Sequence, residues 1–154
     1  MALNRDLKEL LSLLTRHDVD FLLVGAHAVA FHGFSRYTGD IDFWVRRSSE
    51  NAERIMAALN EFGFGDAGLQ SSDFMRENAV IQLGREPNRV DFLTFLTALD
   101  YDQCQQRKVT AHFEGMPVDI IGLEDLLKNK RETARPKDLA DVDEFERSTK
   151  YRKE

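Results

Sequence analysis

The protein has 154 residues, of which 42% are hydrophobic, and its formal net charge at neutral pH is -6. This length and composition are typical of one globular domain with its own core, so we expect a single domain over residues 1–154. The negative charge disfavours non-specific binding to nucleic-acid backbones, which depends on clustered lysine and arginine.

The sequence indicates neither secretion nor membrane insertion. The first residues, Met-Ala-Leu-Asn-Arg-Asp, lack the basic and then apolar pattern of a secretory signal. No apolar stretch approaches the roughly 18–20 residues that span a bilayer. The lone Cys104 cannot form an internal disulfide, and it has no metal-ligand spacing that would indicate a zinc or redox site. We therefore expect a cytoplasmic protein without membrane contact.

Helices and strands alternate in the predicted first half of the chain. Leucines at helical spacing predict the first helix, short apolar or alternating runs predict strands, and glycines mark helix ends. In chain order, the predicted elements are a helix at 7–14 that ends near 17–18, a buried strand at 21–24, a short helix at 26–31 closed by Gly33, a strand at 40–43 and a helix at 51–62 closed by Gly63.

The second half begins with the ambiguous residues 71–78 and then continues with strands and closing helices. A turn is expected at Pro87-Asn88, a hairpin about Glu114-Gly115 and a helix break at Pro136. The predicted elements are strands at 80–83 and 89–95, a polar helix at 101–107, strands at 109–113 and 117–121, and helices from about 123, the last with Leu139, Val142 and Phe145 on its apolar stripe. Together they predict an α+β fold, with a mixed β-sheet flanked by helices.

Two carboxylates on one face of a predicted strand are the feature most suggestive of chemistry. Asp40 and Asp42 are two residues apart, so both leave the same face while Ile41 and Phe43 point toward the core. Two such anions repel each other unless a hard divalent cation lies between them and the phosphate oxygens of a nucleotide. Phosphoryl or nucleotidyl transfer then needs mainly positioning and charge neutralisation. A solvated acidic strand is the plainer alternative.

Small residues upstream of this pair favour the chemical interpretation. Gly25 and Ala26 lie at the junction of a predicted strand and helix, where backbone N–H groups can approach a triphosphate. Gly25 by itself would indicate only an ordinary strand-to-helix turn.

These two motifs together carry a family resemblance. Leu23-Val24-Gly25-Ala26 followed by Asp40-Ile41-Asp42-Phe43 resembles the nucleotidyltransferase signature of the DNA polymerase beta superfamily. The stretches 21–45 and 123–143 are similar to small prokaryotic nucleotidyltransferase-like proteins, including relatives of abortive-infection and toxin–antitoxin nucleotidyltransferases. The resemblance covers most of the chain and implies the palm-like fold of that superfamily.

The resemblance also implies a third carboxylate on a neighbouring strand. Asp91 fits better than its rival Asp119, because Asp91 lies where the family pattern places this residue. The implied roles of Asp91 are metal ligand, together with Asp40 and Asp42, and general base for an acceptor hydroxyl. Asp91 could otherwise be one more exposed strand carboxylate.

The candidate nucleotide-binding residues are Gly25, Ala26, Arg36, Thr38, Lys130 and Lys137. Lys130 and Lys137, with Asp138 and Asp141, resemble residues that toxin relatives direct toward the active-site cleft, although a solvated helix face explains this spacing equally well. Ala26 departs from the family's usual Gly or Ser and lacks a hydroxyl that could contact phosphate. His27 and His32 are five residues apart, so they cannot form a one-face zinc pair and are expected to be structural or cleft-lining.

Three functions follow from these expectations. The first is an enzyme that uses Mg²⁺, or Mn²⁺, to transfer a nucleoside monophosphate from a nucleoside triphosphate to a hydroxyl on RNA such as tRNA, on a protein or on a small molecule. The alternative is a weakly active or inactive nucleotidyltransferase-like component of a toxin–antitoxin pair, or a nucleotide-binding regulator. The third and plainest is an interaction domain whose acidic strand is merely solvated.

Overall fold

A computed structural model describes residues 4–33, 40–65, 67–85 and 87–152, with side chains as far as residue 148. Within these residues the chain forms six α-helices, one 3₁₀-helix and six β-strands. The helices are α1 (Arg5–Arg16), α2 (Gly25–Phe31), α3 (Ser49–Phe62), α4 (Tyr101–Gln106), α5 (Leu123–Thr133) and α6 (Pro136–Arg152), and the 3₁₀-helix is Ser71–Met75. The strands are β1 (Phe21–Val24), β2 (Asp40–Val45), β3 (Val80–Leu83), β4 (Arg89–Leu93), β5 (Val109–Phe113) and β6 (Met116–Ile120).

Local chemistry explains where the predicted helices begin and end. The Asn4 side chain accepts a hydrogen bond from the backbone N–H of Leu7, which starts α1. Ser48 caps α3 in the same way, and α3 ends where Gly63 takes a left-handed backbone with φ of 109°. The ambiguous residues 71–78 contain the short 3₁₀-helix. α1 and α3 thus begin at Arg5 and Ser49, before the predicted starts at 7 and 51, whereas α3 ends at Phe62 as predicted.

All six strands form one mixed sheet in the order β3-β4-β2-β1-β6-β5. The central strand β2 pairs antiparallel with β1 and parallel with β4. On the far side β1 pairs parallel with β6, and the outer pairs β3–β4 and β5–β6 are antiparallel. This arrangement confirms the predicted α+β fold. In the part of the chain that the structure describes, no helix is both long and apolar enough to cross a membrane.

The alternation of β2 separates an apolar face from an acidic face. Ile41 and Phe43 are fully buried, as predicted. The Phe43 ring stacks on Phe92 of β4 with centroids 5.6 Å apart, and it meets Phe21 of β1 edge-on at 5.1 Å. Aromatic packing on this face therefore joins the three strands that lie beneath the acidic residues.

A buried ionic cluster joins α5 to α6. Lys130 is 8% exposed, and its Nζ lies 2.8 Å from Asp141 Oδ2 and 3.5 Å from Asp138 Oδ1. Arg135 also donates to Asp138, with Nε 2.6 Å from Oδ2. Although burial raises the pKa of Asp138, hydrogen bonds and charge from Arg135 and Lys130 hold it below its usual value. The solvated-face interpretation of Lys130, Asp138 and Asp141 is therefore wrong, because all three are buried.

The apolar stripe predicted for α6 is only partly buried. Val142 and Phe145 belong to the core, whereas Leu139 is 48% exposed. The buried residue at this end of α6 is Asp138, which lies beside Leu139 in the chain and turns toward Lys130. The expectation for Leu139 was wrong because the ionic cluster sets which side of the first helical turn faces α5.

Replacing Lys130 tests whether this cluster holds α6 in place. We expect Lys130→Met to destabilise the fold by about 2–4 kcal/mol, because it leaves the Asp141 charge buried without its cation. Lys137→Met is the matched control: Lys137 is exposed on the neighbouring helix, and its loss should change the stability by less than about 0.5 kcal/mol. Urea unfolding measures both values, and equal stabilities for the two variants would contradict the prediction.

Candidate active site

Three carboxylates meet where β2 pairs with β4. The parallel register places Asp42 directly opposite Asp91 and Asp40 opposite Arg89. Because side chains alternate along each strand, Asp40, Asp42 and Asp91 all leave the same face of the sheet. One oxygen from each of the three carboxylates lies within 4.8 Å of the other two. The fold thus brings the three sequence-predicted carboxylates together in space, and we refer to Asp40, Asp42 and Asp91 as the acidic group.

Asp119, the rival for the third position, lies elsewhere. On β6 its carboxylate accepts hydrogen bonds from Lys108 Nζ at 2.9 Å and from Thr110 Oγ1 at 2.8 Å. Asp119 therefore serves an ion pair on the outer hairpin rather than the acidic group.

The electrostatics of the acidic group favour a bound cation. Burial, followed by the charges of Asp40 and Asp91, raises the pKa of Asp42 to about 7. Asp91 is 6% exposed, and its buried Oδ1 accepts no hydrogen bond, although Arg89 Nε lies 3.3 Å from it. A buried carboxylate oxygen without a hydrogen bond is costly, and the ion pair with Arg89 offsets this cost only in part. An all-carboxylate donor set suits a hard divalent cation such as Mg²⁺ or Mn²⁺, so these residues fit such an ion.

Gly25 makes room for the Asp42 carboxylate. Its backbone has φ of +69°, in the region that favours glycine. A Cβ atom at this position would lie only 2.0 Å from Asp42 Oδ2. Glycine is thus required here both by backbone conformation and by the closeness of Asp42, a more specific reason than the strand-to-helix turn considered from sequence.

The acidic group opens into a cleft of about 420 Å³ between the sheet and the last two helices. Gly25 and Ala26 line one side of it, and Lys130 and Lys137 line the side formed by α5 and α6. Four of the predicted nucleotide-binding residues therefore border the same cleft as the carboxylates. The other two, Arg36 and Thr38, lie outside the described residues.

Arg89 is the residue of this site that the sequence interpretation missed. Its Nη2 donates to Asp40 Oδ2 at 2.7 Å and to Asp91 Oδ2 at 3.3 Å. The charge of Asp91, followed by that of Asp40, raises the pKa of Arg89. The available signal was the alternation itself, because Arg89 is two residues before Asp91 on the same strand and therefore shares its face.

The two histidines have structural surroundings. His27 is 6% exposed and lies near Asp40. Burial lowers the pKa of His27, although the nearby Asp40 charge opposes the effect. His32 Nε2 lies 2.8 Å from the carbonyl oxygen of Ile121, so this histidine joins α2 to the segment after β6. His27 is thus a buried neighbour of the strand end that carries Asp40.

Replacing Gly25 tests the steric demand of Asp42. We expect Gly25→Ala to push the Asp42 carboxylate away, weakening divalent-cation binding at least about tenfold and destabilising the fold by about 1–3 kcal/mol. Gly68→Ala is the matched control, because Gly68 also has positive φ, of +76°, but a Cβ added there would meet nothing within 4 Å. Calorimetric cation titration should show unchanged affinity in the control, and equal losses in both variants would contradict the steric argument.

Removing the Asp42 charge tests the repulsion within the acidic group. Because the folded-state pKa of Asp42 is raised, its ionisation opposes folding as the pH rises from its ordinary value through about 7. We expect Asp42→Asn to stabilise the cation-free protein by about 1–3 kcal/mol near pH 8, and this gain should vanish near pH 4, where Asp42 is protonated. Thermal unfolding across this pH range measures the difference, and a destabilised variant near pH 8 would contradict the prediction.

Solved structures with this fold include two that match most of the chain. A protein from Thermotoga maritima, provisionally assigned as a nucleotidyltransferase, matches with a TM-score of 0.54 and 17% sequence identity, over 96% of this chain and 90% of that chain. ANT(2″)-Ia in complex with adenylyl-2″-tobramycin matches with a TM-score of 0.54 and 13% identity, over 88% of this chain and 83% of that chain. At these identities the similarity establishes the fold alone.

Sequence comparison assigns the family. Among curated proteins, no sequence matches this chain significantly. The family described as "nucleotidyl transferase of unknown function (DUF2204)" matches residues 3–154. This match covers nearly the whole chain, and it confirms the resemblance to nucleotidyltransferases that the motifs at Gly25 and Asp40 indicated. The protein therefore belongs to this nucleotidyl transferase family.

Proposed function

We propose that this protein is a Mg²⁺-dependent enzyme that transfers a nucleoside monophosphate from a nucleoside triphosphate to a hydroxyl group, with release of pyrophosphate. The observation that carries the proposal is the convergence of Asp40, Asp42 and Asp91 on one cleft. Three mutually repelling carboxylates oppose folding in the absence of a cation. Their placement is better explained by binding of a cation with a phosphate substrate than by stability.

The proposed role of each carboxylate follows from its position in the sheet. A bound Mg²⁺, or Mn²⁺, would neutralise negative charge on the triphosphate and on the departing pyrophosphate. Asp40 and Asp42 would hold the cation from the rigid strand β2. Asp91 would hold it from β4 and would accept the proton of the attacking hydroxyl.

The cleft walls would hold the triphosphate. The absence of a side chain at Gly25 and the small one at Ala26 leave room for phosphate groups close to the carboxylates. Lys137 is an exposed cation on the opposite wall and would contact those phosphates. Arg36 and Thr38, which precede β2 in the chain, stay predicted phosphate contacts.

Lys130 has a more constrained role than a free phosphate-binding lysine. Its ammonium group already lies 2.8 Å from Asp141 Oδ2 and 3.5 Å from Asp138 Oδ1. An ammonium group has three donors, so the remaining hydrogen can point into the cleft that Lys130 lines. In this proposal Lys130 contacts the nucleotide only while Asp138 and Asp141 hold it in place.

A hydroxyl acceptor is supported by one structural neighbour. ANT(2″)-Ia is bound to adenylyl-2″-tobramycin, in which a nucleotide group is joined to a small molecule. We extend the hydroxyl acceptor class to this protein and keep RNA such as tRNA, a protein and a small molecule as acceptors to be tested.

A second candidate function rests on Ala26. Alanine offers no hydroxyl to a phosphate, which favours a protein that binds nucleotide weakly or turns it over poorly. Such a protein would act as a nucleotide-binding regulator or as one component of a toxin–antitoxin pair. Mg²⁺-dependent triphosphate binding without release of pyrophosphate would favour this function over the enzyme.

Matched substitutions of strand carboxylates test the enzymatic function. With labelled triphosphates and pools of RNA, protein and small-molecule acceptors, we expect Mg²⁺-dependent labelling that Asp91→Asn reduces at least about 100-fold, because a cation ligand and a general base are lost together. Asp119→Asn is the control, since Asp119 also lies on a strand but pairs with Lys108 outside the cleft. This variant should retain nearly full activity.

Two results would contradict the enzymatic proposal. The first is no product with any acceptor and no Mg²⁺-dependent triphosphate binding, which would overturn the nucleotide site itself. The second is equal labelling by wild type and Asp91→Asn, which would overturn the role of the three carboxylates while leaving binding of nucleotide intact.

A further inference from the structure

Arg89 occupies the space between two of the carboxylates proposed to hold the cation. Its Nη2 donates to both Asp40 Oδ2 and Asp91 Oδ2, at 2.7 and 3.3 Å, and its Nε lies 3.3 Å from Asp91 Oδ1. A divalent cation held by Asp40 and Asp91 would need the carboxylate groups that Arg89 contacts. The guanidinium group and the cation would therefore compete for the same carboxylates.

The pairing of β2 with β4 itself places Arg89 beside these carboxylates. Arg89 is opposite Asp40 in the β2–β4 register, and Asp91 follows it by two residues on the same face. The Arg89 side chain therefore begins beside both carboxylates and needs no loop to bring it there. Its side chain is 34% exposed and lines the cleft, so it can swing outward while the strand stays paired.

We propose that Arg89 is an exchangeable counterion of the acidic site. It stabilises the carboxylates in the cation-free protein, and a bound divalent cation displaces it into the cleft, where its planar fork binds the phosphates of the nucleotide. This inference rests on the proposed function, because it needs the cation and the triphosphate of the same site. It adds a phosphate-binding residue and makes cation binding a competition with a residue of the chain.

The first test measures cation binding without nucleotide. Removing a competitor should strengthen binding, so Arg89→Gln should bind Mn²⁺ roughly five- to tenfold more tightly than wild type in calorimetric titration. Lys137→Gln removes the same charge from the same cleft without touching the carboxylates, and it should change the affinity by less than about twofold. Equal strengthening in both variants would show a general charge effect and would overturn the counterion role.

The second test adds a non-hydrolysable triphosphate to the cation-saturated proteins. Here the effect of Arg89→Gln should reverse, with nucleotide affinity reduced roughly tenfold because a phosphate-binding cation is lost. Arg89→Gln would then strengthen cation binding and weaken nucleotide binding. A purely structural ion pair would not produce these opposite effects. Unchanged nucleotide affinity would overturn the phosphate-binding half of the proposal.

A third measurement uses the unaltered protein, so it does not depend on how the variant folds. The Nε–Hε resonance of Arg89, assigned by its absence from spectra of Arg89→Lys, should shift as Mg²⁺ is added, with the midpoint of the calorimetric titration. If the cation binds and this resonance stays fixed through saturation, the Arg89 inference is overturned and the proposed function stands. If no variant binds cation, the proposed metal site is overturned together with the inference.

Discussion

Repulsion among three carboxylates is the constraint on which the site depends. The parallel pairing of β2 and β4 sets Asp42 opposite Asp91, with Asp40 one step along the same face. Neighbouring groups reduce the free-energy cost of this repulsion. Gly25 leaves space for one carboxylate, Arg89 neutralises part of the charge, and the raised pKa of Asp42 keeps a proton available. A divalent cation would satisfy the same demand more completely.

The apolar face of the sheet keeps these charges in register. Phe43 stacks on Phe92 directly beneath the acidic face, and a slip of one residue would exchange the buried and cleft-facing side chains of a strand. Burial of the aromatic rings therefore opposes any shift by which β2 and β4 could separate their carboxylates. The like charges persist on one face because the hydrophobic core on the other face fixes the strands.

The helices on the cleft side show a different balance of forces. Asp138 and Asp141 tolerate burial because Lys130 and Arg135 neutralise them, and this ionic cluster takes the position that an apolar contact of Leu139 was expected to fill. The spacing of apolar residues along α6 predicted that Leu139 would be buried. A buried ion pair, however, can orient a helix as well as an apolar stripe can. The cluster also restrains the cleft wall that carries Lys137.

The sequence alone determined what depends on neighbours along the chain. Alternation predicted the strands and the shared face of Asp40 and Asp42, glycines and Pro136 predicted helix ends, and the match to a family pattern selected Asp91. Tertiary structure decided which strand lies beside which. Pairing of β2 with β4 joins residues about 50 positions apart and gives Arg89 its contact with Asp40. Pairing of β1 with β2 sets Val24 opposite Asp42 and so gives the next residue, Gly25, its steric role. Contacts of this kind produce no periodic pattern in the sequence, because closure of long loops, and not local conformation, brings the partners together.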